Sequence, residues 1–543
     1  MGPQLPILKQ WRLFVFFLAP LILLPLPLVV ATQVAGAGYV ILIVAIYSVA
    51  SPIPLCMTAI MSVFLYPLLG IYPARQVAAW AINDPVMLML GSIIFAMAIE
   101  GVLLHKRIAL RVLLAVGQKP ERLLMGFLFV SFILSMFIAN IAVVVMLLPI
   151  VEAMKEEMDK FSEDSNGVVD HKAAEQLHAK EPPRRHQKLI NGLFLASVYG
   201  STTGGMTTLV GAHPNILFKL FIDRFYGDAA AVNFATFMAV TGPMAVCATI
   251  LIWLSMTFAY APEFFKSFWK KTESSHDDLK FRSRLRDLFQ EQYNSLGSFN
   301  FGEGSVVTMF FILVALWLFR EPQLFPGWGS LFKKGYVSDA TPVLLISFLL
   351  FAWPSDWRLL WNEGVLKPVI TWRPLMLQRF PWELLMYAIG TTVLAEGTTA
   401  AGLSVWIADL FGPLVVVPPW VLMILITVVV SILTEFLGNS LIAVMLIPVV
   451  ASFAEKTMVN PIFYMLPIAM TTVLSFMTPM SAHTMMLLQK QGVPVREMCA
   501  TGLSAKIICI TLVVITMNTV ADPVFDIHSF PAWAVNGTSG VKQ

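Results

Sequence analysis

Apolar segments long enough to cross a lipid bilayer recur along the whole chain and limit what it can fold into. They lie near residues 12–31, 38–72, 86–103, 122–153, 188–222, 231–260, 303–320, 341–353, 382–399, 417–452, 459–488 and 500–521. A helix of about 20 apolar residues spans the roughly 30 Å hydrocarbon core of a bilayer. Backbone groups in lipid must pair within the protein, and a helix pairs them within one segment. The sequence therefore predicts an all-α polytopic membrane protein.

Several of these segments are too long for one crossing and contain Pro, Gly or Asn near the middle. Such interruptions indicate two spans, a broken helix or a re-entrant hairpin. We expect about eleven transmembrane helices, each of membrane-spanning length, and two re-entrant hairpins arranged as an inverted repeat.

Composition excludes several classes of protein. Hydrophobic residues make up 57% of the 543 residues, which rules out an ordinary soluble domain. The formal net charge of +3 gives no reason to expect a nucleic-acid partner. The sequence has no nucleotide-binding loop, zinc spacing or nucleophile–base pattern. We therefore expect neither an enzyme nor a resident cofactor or structural metal.

The distribution of basic residues predicts how the chain is oriented in the membrane. Lys and Arg are concentrated in the segments 155–188, 266–291 and 358–379, which the positive-inside rule places in the cytoplasm with the N-terminus. The tail 522–543 has Lys542 as its one Lys or Arg and contains the glycosylation sequon that starts at Asn536. We expect a plasma-membrane protein with an extracellular, glycosylated C-terminus.

A ten-residue block occurs twice, as Asn140–Pro149 and Asn439–Pro448. In each copy an Asn opens an apolar run that ends at a Pro. Polar tips at corresponding places of two halves are typical of the binding site of a repeat-built transporter. Helix N-termini at such a tip favour an anion, and C-terminal carbonyls favour a cation. The alternative is that each Asn hydrogen-bonds a neighbouring helix.

Two hydroxyl-rich interruptions accompany the tips. They are Gly204–Asn215 and Met477–Thr484, and each contains an Ala-His step. A histidine, with a reference pKa of about 6.5, can donate to an anion or carry a coupled proton. The alternative is a neutral histidine bonded inside the bundle. The hydroxyls that can donate to a carboxylate or sulfate are Thr207, Thr208, Thr478 and Ser481.

Three carboxylates lie within or next to apolar sequence. Glu435 precedes the second tip and must be neutralised by pairing or protonation, so we expect a structural or gating role for it. Glu100 and Glu396 are expected at the ends of spans, within reach of water.

At these residues the chain resembles the divalent anion/sodium symporter family, and closely its animal sodium–citrate and sodium–dicarboxylate members. The resemblance covers almost the whole chain and includes Leu104–Arg111, Val151–Ala153, Tyr336–Ala340, Gly402–Trp406 and Phe530–Trp533. It implies a homodimer in which a scaffold domain holds the dimer contact. A transport domain then carries substrate by an elevator mechanism.

The resemblance also implies a division of the chain. Residues 1–121 form N-terminal scaffold helices and an interfacial helix, and residues 122–230 form the first transport-domain repeat. That repeat contains a hairpin at 122–153, a cytoplasmic loop at 155–188 and a broken helix at 189–222. Residues 231–416 form further scaffold helices and include a cytoplasmic loop at 263–300. Residues 417–499 form the second transport-domain repeat, again a hairpin and a broken helix. Residues 500–543 form the last helix and the extracellular tail.

Family positions can be carried over to this chain, with departures. The substrate-binding residues implied are Asn140, Ile141, Thr208, His213, Asn439, Ser440, Ala482 and His483. The cation-binding residues implied are Ser135, Ala139, Asn140, Gly211, Thr434, Gly438, Asn439 and Ser481. The family carries Ser-Asn-Thr at each tip, whereas this chain has Ala-Asn-Ile at 139–141 and Gly-Asn-Ser at 438–440. Sodium as the coupling ion is therefore left open.

The resulting hypothesis is a secondary transporter of small di- or tricarboxylates, of the succinate or citrate type, embedded in membrane lipid. The alternatives are a sodium-independent or proton-linked anion exchanger, or a sulfate transporter. A further alternative is a transport-dead membrane protein that acts as a sensor or binds a partner.

Overall fold

The computed structural model describes residues 11–166, 184–262, 276–322, 325–333, 335–356, 367–374, 380–479 and 481–535. The predicted glycosylation site, Asn536, lies outside these residues. Within them the regular structure is helical, apart from one isolated β-bridge between Pro354 and Pro368. The prediction of an all-α chain is confirmed.

The first seven helices lead up to the first tip. They are α1 (Trp11–Leu23), α2 (Pro25–Val30), α3 (Gln33–Ala50), α4 (Leu55–Leu68), α5 (Ala74–Ala81), α6 (Asp84–Gly101) and α7 (Leu104–Val116). Asn83 caps the start of α6 because its side chain accepts the backbone N–H of Val86.

The next eight helices include the first tip and the first interruption. They are α8 (Pro120–Ser135), α9 (Asn140–Asn166), α10 (Arg184–Gly205), α11 (His213–Tyr226), α12 (Phe234–Tyr260), α13 (His276–Ser295), α14 (Phe301–Leu318) and α15 (Ala340–Ala352). Helix α9 continues through the first part of the segment predicted as the loop 155–188, and α13 lies within 263–300. The first stretch is rich in Lys and Glu and the second in Arg and Leu, and all four residue types favour helix.

The remaining labelled helices include the second tip and the second interruption. They are α16 (Trp382–Ala400), α17 (Leu403–Leu410), α18 (Pro419–Leu433), α19 (Asn439–Lys456), α20 (Ile462–Val473), α21 (His483–Lys490) and α22 (Val495–Thr519). The series α8–α12 and α18–α22 therefore have the same elements in the same sequence. Each has a helix before the tip, a helix that begins at the tip Asn, an interrupted helix pair and a long helix.

Seven helical stretches of the described residues are long and apolar enough to cross a membrane. They are Trp11–Val30, Gln33–Ala50, Asp84–Gly101, Phe234–Tyr260, Phe301–Leu318, Asn439–Lys456 and Val495–Thr519. Shorter apolar helices lie at Leu55–Leu68, Ala340–Ala352, Pro419–Leu433 and Ile462–Val473. A total of about eleven crossings, each of membrane-spanning length, stays a prediction. The two re-entrant hairpins also stay a prediction.

Small residues allow the helices around the first tip to pack closely. A Cβ on Gly200 would lie 2.2 Å from the carbonyl oxygen of Leu128, and one on Gly204 would lie 2.2 Å from that of Phe132. Glycines one turn apart on α10 thus place its backbone against α8, as is common where helices associate in membranes.

The expectation that Glu396 lies within reach of water is wrong. Glu396 belongs to α16, its relative exposure is 5%, and it forms an ion pair with Arg224 of α11. A carboxylate buried to this degree needs a charged partner, and α11 supplies one. Glu100, by contrast, is exposed at the end of α6, as expected.

Candidate functional site

The first tip is the short connection between α8 and α9. Helix α8 ends at Ser135 and α9 begins at Asn140. The Ser135 hydroxyl donates to Oδ1 of Asn140 over 2.5 Å, and it also lies 3.4 Å from the carbonyl oxygen of Ile138. Side-chain and main-chain oxygens therefore face one another at this tip.

The second tip is the connection between α18 and α19. Helix α18 ends at Leu433 and α19 begins at Asn439. The Ser475 hydroxyl donates to Oδ1 of Asn439 over 2.7 Å. Next to Asn439, Oγ of Ser440 lies 2.8 Å from Nδ1 of His213. The second tip thus contacts the start of α11, which belongs to the first half.

The two interruptions have matching backbone geometry. Ala212 precedes α11 with φ −144° and ψ 143°, and Ala482 precedes α21 with φ −146° and ψ 147°. A histidine follows each alanine and is the first residue of its helix. The predicted correspondence of the two Ala-His steps is therefore present in the backbone.

Equivalent threonines join each interruption to its tip. The hydroxyl of Thr478 donates to the carbonyl oxygen of Glu435 over 2.6 Å. The hydroxyl of Thr208 donates in the same way to the carbonyl oxygen of Met136. Each bond satisfies a main-chain carbonyl that the end of the preceding helix leaves without a helical partner.

A cavity of about 1100 Å³ opens between the two tips and the two interruptions. The implied site residues that line it are Ala139, Asn140, Ile141, Gly211, His213, Gly438, Asn439, Ser440, Ser481, Ala482 and His483. Ser135, Thr208 and Thr434 are not in its wall. These three are fully buried, and their hydroxyls form hydrogen bonds within the protein.

The cavity has the electrostatic properties of an anion site. Four helices, α9, α11, α19 and α21, begin at residues in its wall, and each N-terminus presents unpaired N–H groups and a partial positive charge. In the described part of the chain the wall contains one acidic side chain, Glu100. Helix N-termini together with neutral amide and hydroxyl groups can hold an anion without burying a cationic side chain.

Three residues at the site escaped the sequence analysis. Ser475 was not recognised because a serine in apolar sequence gives no sign of its partner. Tyr387 of α16 lines the cavity, and its ring centroid lies 6.0 Å from that of His213. Lys506 lies beside the second tip and could have been found, because a charged residue inside an apolar helix is a functional candidate by default.

Two paired tips that open onto a shared cavity within a helical bundle are typical of a membrane transport protein. Residues 8–526 match the family model described as the sodium:sulfate symporter transmembrane region. The chain belongs to this family, and the resemblance to the divalent anion/sodium symporters is confirmed. It is an integral membrane protein and a transporter in class, not an enzyme.

Relatives of known name match over nearly the full length of the chain. The Na(+)/dicarboxylate cotransporter 3 of Rattus norvegicus is 31% identical, with 97% of this chain and 95% of the relative covered. The Na(+)/citrate cotransporter of Rattus norvegicus is 32% identical, with 96% of each chain covered. Among solved structures, the YdaH transporter of Alcanivorax borkumensis matches with a TM-score of 0.46 and 14% identity, over 83% of this chain and 87% of that one.

Proposed function

We propose that this protein is a secondary active transporter of small di- and tricarboxylates and that the cavity between the tips is its substrate site. The convergence of four helix N-termini on one cavity carries the proposal, because this arrangement favours a compact anion. The names of the two relatives, a dicarboxylate and a citrate cotransporter, support the carboxylate class.

Neutral donors at the cavity would orient the substrate carboxylates. We assign this role to Asn140 and Asn439 at the tips, and to Ser440 with the histidine that contacts it, His213. Ile141, Ala482 and His483 also lie in the wall and would contact the substrate. Thr208 would act indirectly, because its hydroxyl is engaged with the carbonyl of Met136 and supports the first tip.

Sodium is the coupling ion that the oxygen-rich first tip supports. Oγ of Ser135 and Oδ1 of Asn140 lie 2.5 Å apart, with the carbonyl of Ile138 nearby. Hard cations bind hydroxyl, amide and carbonyl oxygens of this kind. Both relatives carry sodium in their names. Ala139 and Gly211 have no side-chain oxygen and would contribute their backbone carbonyl oxygens to the same cation.

The elevator mechanism implied by the family resemblance would divide the described helices into two bodies. The helices α8–α11 and α18–α21 would belong to the moving transport domain, and α12, α16 and α17 to the scaffold. The ion pair Arg224–Glu396 then crosses the boundary, as does the pair Lys456–Asp409 between α19 and α17. A homodimer in the plasma membrane, with an extracellular tail glycosylated at Asn536, completes the proposal.

A second candidate is sodium-independent anion exchange or proton-linked transport. The observation that favours it is the presence of a histidine at the start of both α11 and α21, each in the cavity wall. Histidine can carry a proton in the physiological pH range.

Uptake into liposomes that contain the purified full-length protein tests these proposals together. Labelled succinate, citrate and sulfate are each offered under an inward sodium gradient, a potassium gradient or a proton gradient. We expect saturable succinate or citrate uptake under the sodium gradient. Uptake that follows the proton gradient alone would support the second candidate. Uptake of sulfate in place of the carboxylates would contradict the substrate class, and uptake of none would contradict transport.

A further inference from the structure

The two tips correspond residue by residue, but they differ in charge. Ser135 and Thr434 stand at the same distance before their respective tip asparagines. At the first tip the Ser135 hydroxyl contacts Asn140. At the second tip Oγ1 of Thr434 lies 3.4 Å from Nζ of Lys506. A covalently held cation therefore lies at the second tip, where the first has only neutral groups.

We propose that Lys506 is a tethered cation that takes the place of a sodium ion at the second tip, so that the first tip alone binds exchangeable sodium. This inference rests on the proposed function, because it concerns which ions accompany the substrate. It makes Lys506 a determinant of coupling, although Lys506 is not in the wall of the cavity.

The ammonium group of Lys506 is buried and is held in position by Glu435. The relative exposure of Lys506 is 4%, and Nζ lies 2.5 Å from Oε1 of Glu435, whose exposure is 5%. The same carboxylate accepts the backbone N–H groups of Phe476, Met477 and Thr478 over 3.0–3.3 Å. Glu435 thus joins the ammonium to the second interruption.

Close packing of α22 brings Lys506 to this position. A Cβ on Gly502 would lie 2.3 Å from the carbonyl oxygen of Phe476, so the absence of a side chain allows α22 to touch the interruption. Lys506 follows one helical turn later and shares that face of the helix.

The first half has neutral groups at the equivalent places. Met136 takes the position of Glu435 in the repeat. Helix α12, the counterpart of α22, contacts the first interruption through the hydroxyl of Thr241, which donates to the carbonyl of Thr207 over 2.7 Å. In the described residues, the hydrogen bonds of Ser135, Met136 and Thr208 all involve neutral groups.

Electrostatics then separates the two tips. The single negative charge of Glu435 is already balanced by Lys506, so a sodium ion beside Thr434 would add an unbalanced charge. Two cations this close repel strongly in a medium of low dielectric constant. The described groups that form hydrogen bonds at the first tip are neutral. A sodium ion can therefore bind there, with the negative charge of the substrate as its counter-ion.

Thermal unfolding of the purified full-length protein in sodium chloride or choline chloride tests the role of Lys506 without requiring transport. K506A leaves Glu435 without its cation, so sodium should bind there and raise Tm by at least about 2 °C more than in the wild type. K506R, which keeps the cation, and E435Q/K506M, which removes both charges, should respond to sodium as the wild type does.

The same comparison can overturn the inference. If K506A responds to sodium no more than the wild type, the carboxylate does not need a cation at this position. If E435Q/K506M gains the same response as K506A, the added sodium binds elsewhere.

The wild type provides a test that does not depend on the folding of K506A. Sodium activation of succinate uptake should have a Hill coefficient of about one, because the coefficient cannot exceed the number of coupled sites. A wild-type coefficient clearly above one would overturn the inference even if K506A does not fold. Absence of succinate uptake would instead contradict the proposed function, and the unfolding comparison would still test Lys506.

Discussion

At the scale of single residues, the site is made of small neutral groups placed where helices begin. Asn140 and Asn439 open α9 and α19, and His213 and His483 open α11 and α21. Burying a charged side chain in the membrane is costly, whereas an amide or hydroxyl can donate at little cost once it is paired. The contact between Ser440 and His213 then connects the two halves directly.

Replacing Ser440 by Ala should weaken substrate binding. The hydroxyl is in the cavity wall, and a hydrogen bond to a charged group contributes about 1.5–3 kcal/mol, so KM for succinate should rise about ten-fold or more. Concentration-dependent uptake by the variant measures this change. The matched control is Ser452→Ala on the same helix, where the hydroxyl donates to the carbonyl of Pro448. An equal change in both variants would contradict the assignment.

The sequence identified these residue types but not their partners. Asparagine and histidine inside apolar runs are visible as anomalies without any structure. Ser475, Tyr387 and Lys506 are distant in sequence from the groups they meet, and no local pattern predicts which side chains tertiary packing will bring together. Glu396 shows the same limit, because its partner Arg224 is supplied by α11.

At the scale of elements, the two interruptions are supported structures with a defined backbone. Each is attached to its tip by a threonine hydroxyl, and the second is also attached by Glu435. The repeated block predicted where these elements lie, because Asn, Gly and Pro interrupt helices for local reasons. The continuation of α9 to Asn166 was not predicted, since charge indicated a loop while helix propensity favoured a longer helix.

Replacing Gly502 by Ala should displace the second interruption. The added methyl group would meet the carbonyl oxygen of Phe476 at 2.3 Å, and overpacking of this kind costs about 1–3 kcal/mol. We expect a lower Tm and slower succinate uptake. Gly101→Ala at the end of α6 is the control, because nothing lies within 4 Å of its added Cβ. If the two variants unfold at the same temperature, α22 does not depend on this close approach.

At the scale of the whole molecule, the proposal depends on two bodies that move past each other. The pair Arg224–Glu396 joins α11 to α16 in buried surroundings, with side-chain exposures of 20% and 6%. The pair Lys456–Asp409 joins α19 to α17 at the surface, with exposures of 40% and 64%. Removing one partner of a buried ion pair strongly lowers the free energy of unfolding, whereas an exposed ion pair contributes little to it.

Removing one charge of the buried pair should destabilise the protein. E396Q leaves the Arg224 guanidinium without its carboxylate, a change that typically costs about 3–5 kcal/mol. The double variant R224M/E396L should recover most of this loss, and D409N should change stability by less than about 1 kcal/mol. Thermal unfolding of the four proteins measures these differences.

The double variant also tests the elevator proposal. If α11 moves past α16, the wild-type pair must break in each cycle, so R224M/E396L should change kcat for succinate more than KM. Unchanged kcat together with unchanged KM would indicate that the two helices stay together during transport.

The central claim is that the substrate binds in the cavity between the two tips, and the most direct measurement is an experimental structure determined with succinate and sodium. We predict density for succinate within hydrogen-bonding distance of Asn140, Asn439 and Ser440, at the N-termini of α9 and α19. Succinate density at another place, with this cavity free of substrate under conditions that saturate uptake, would contradict the account.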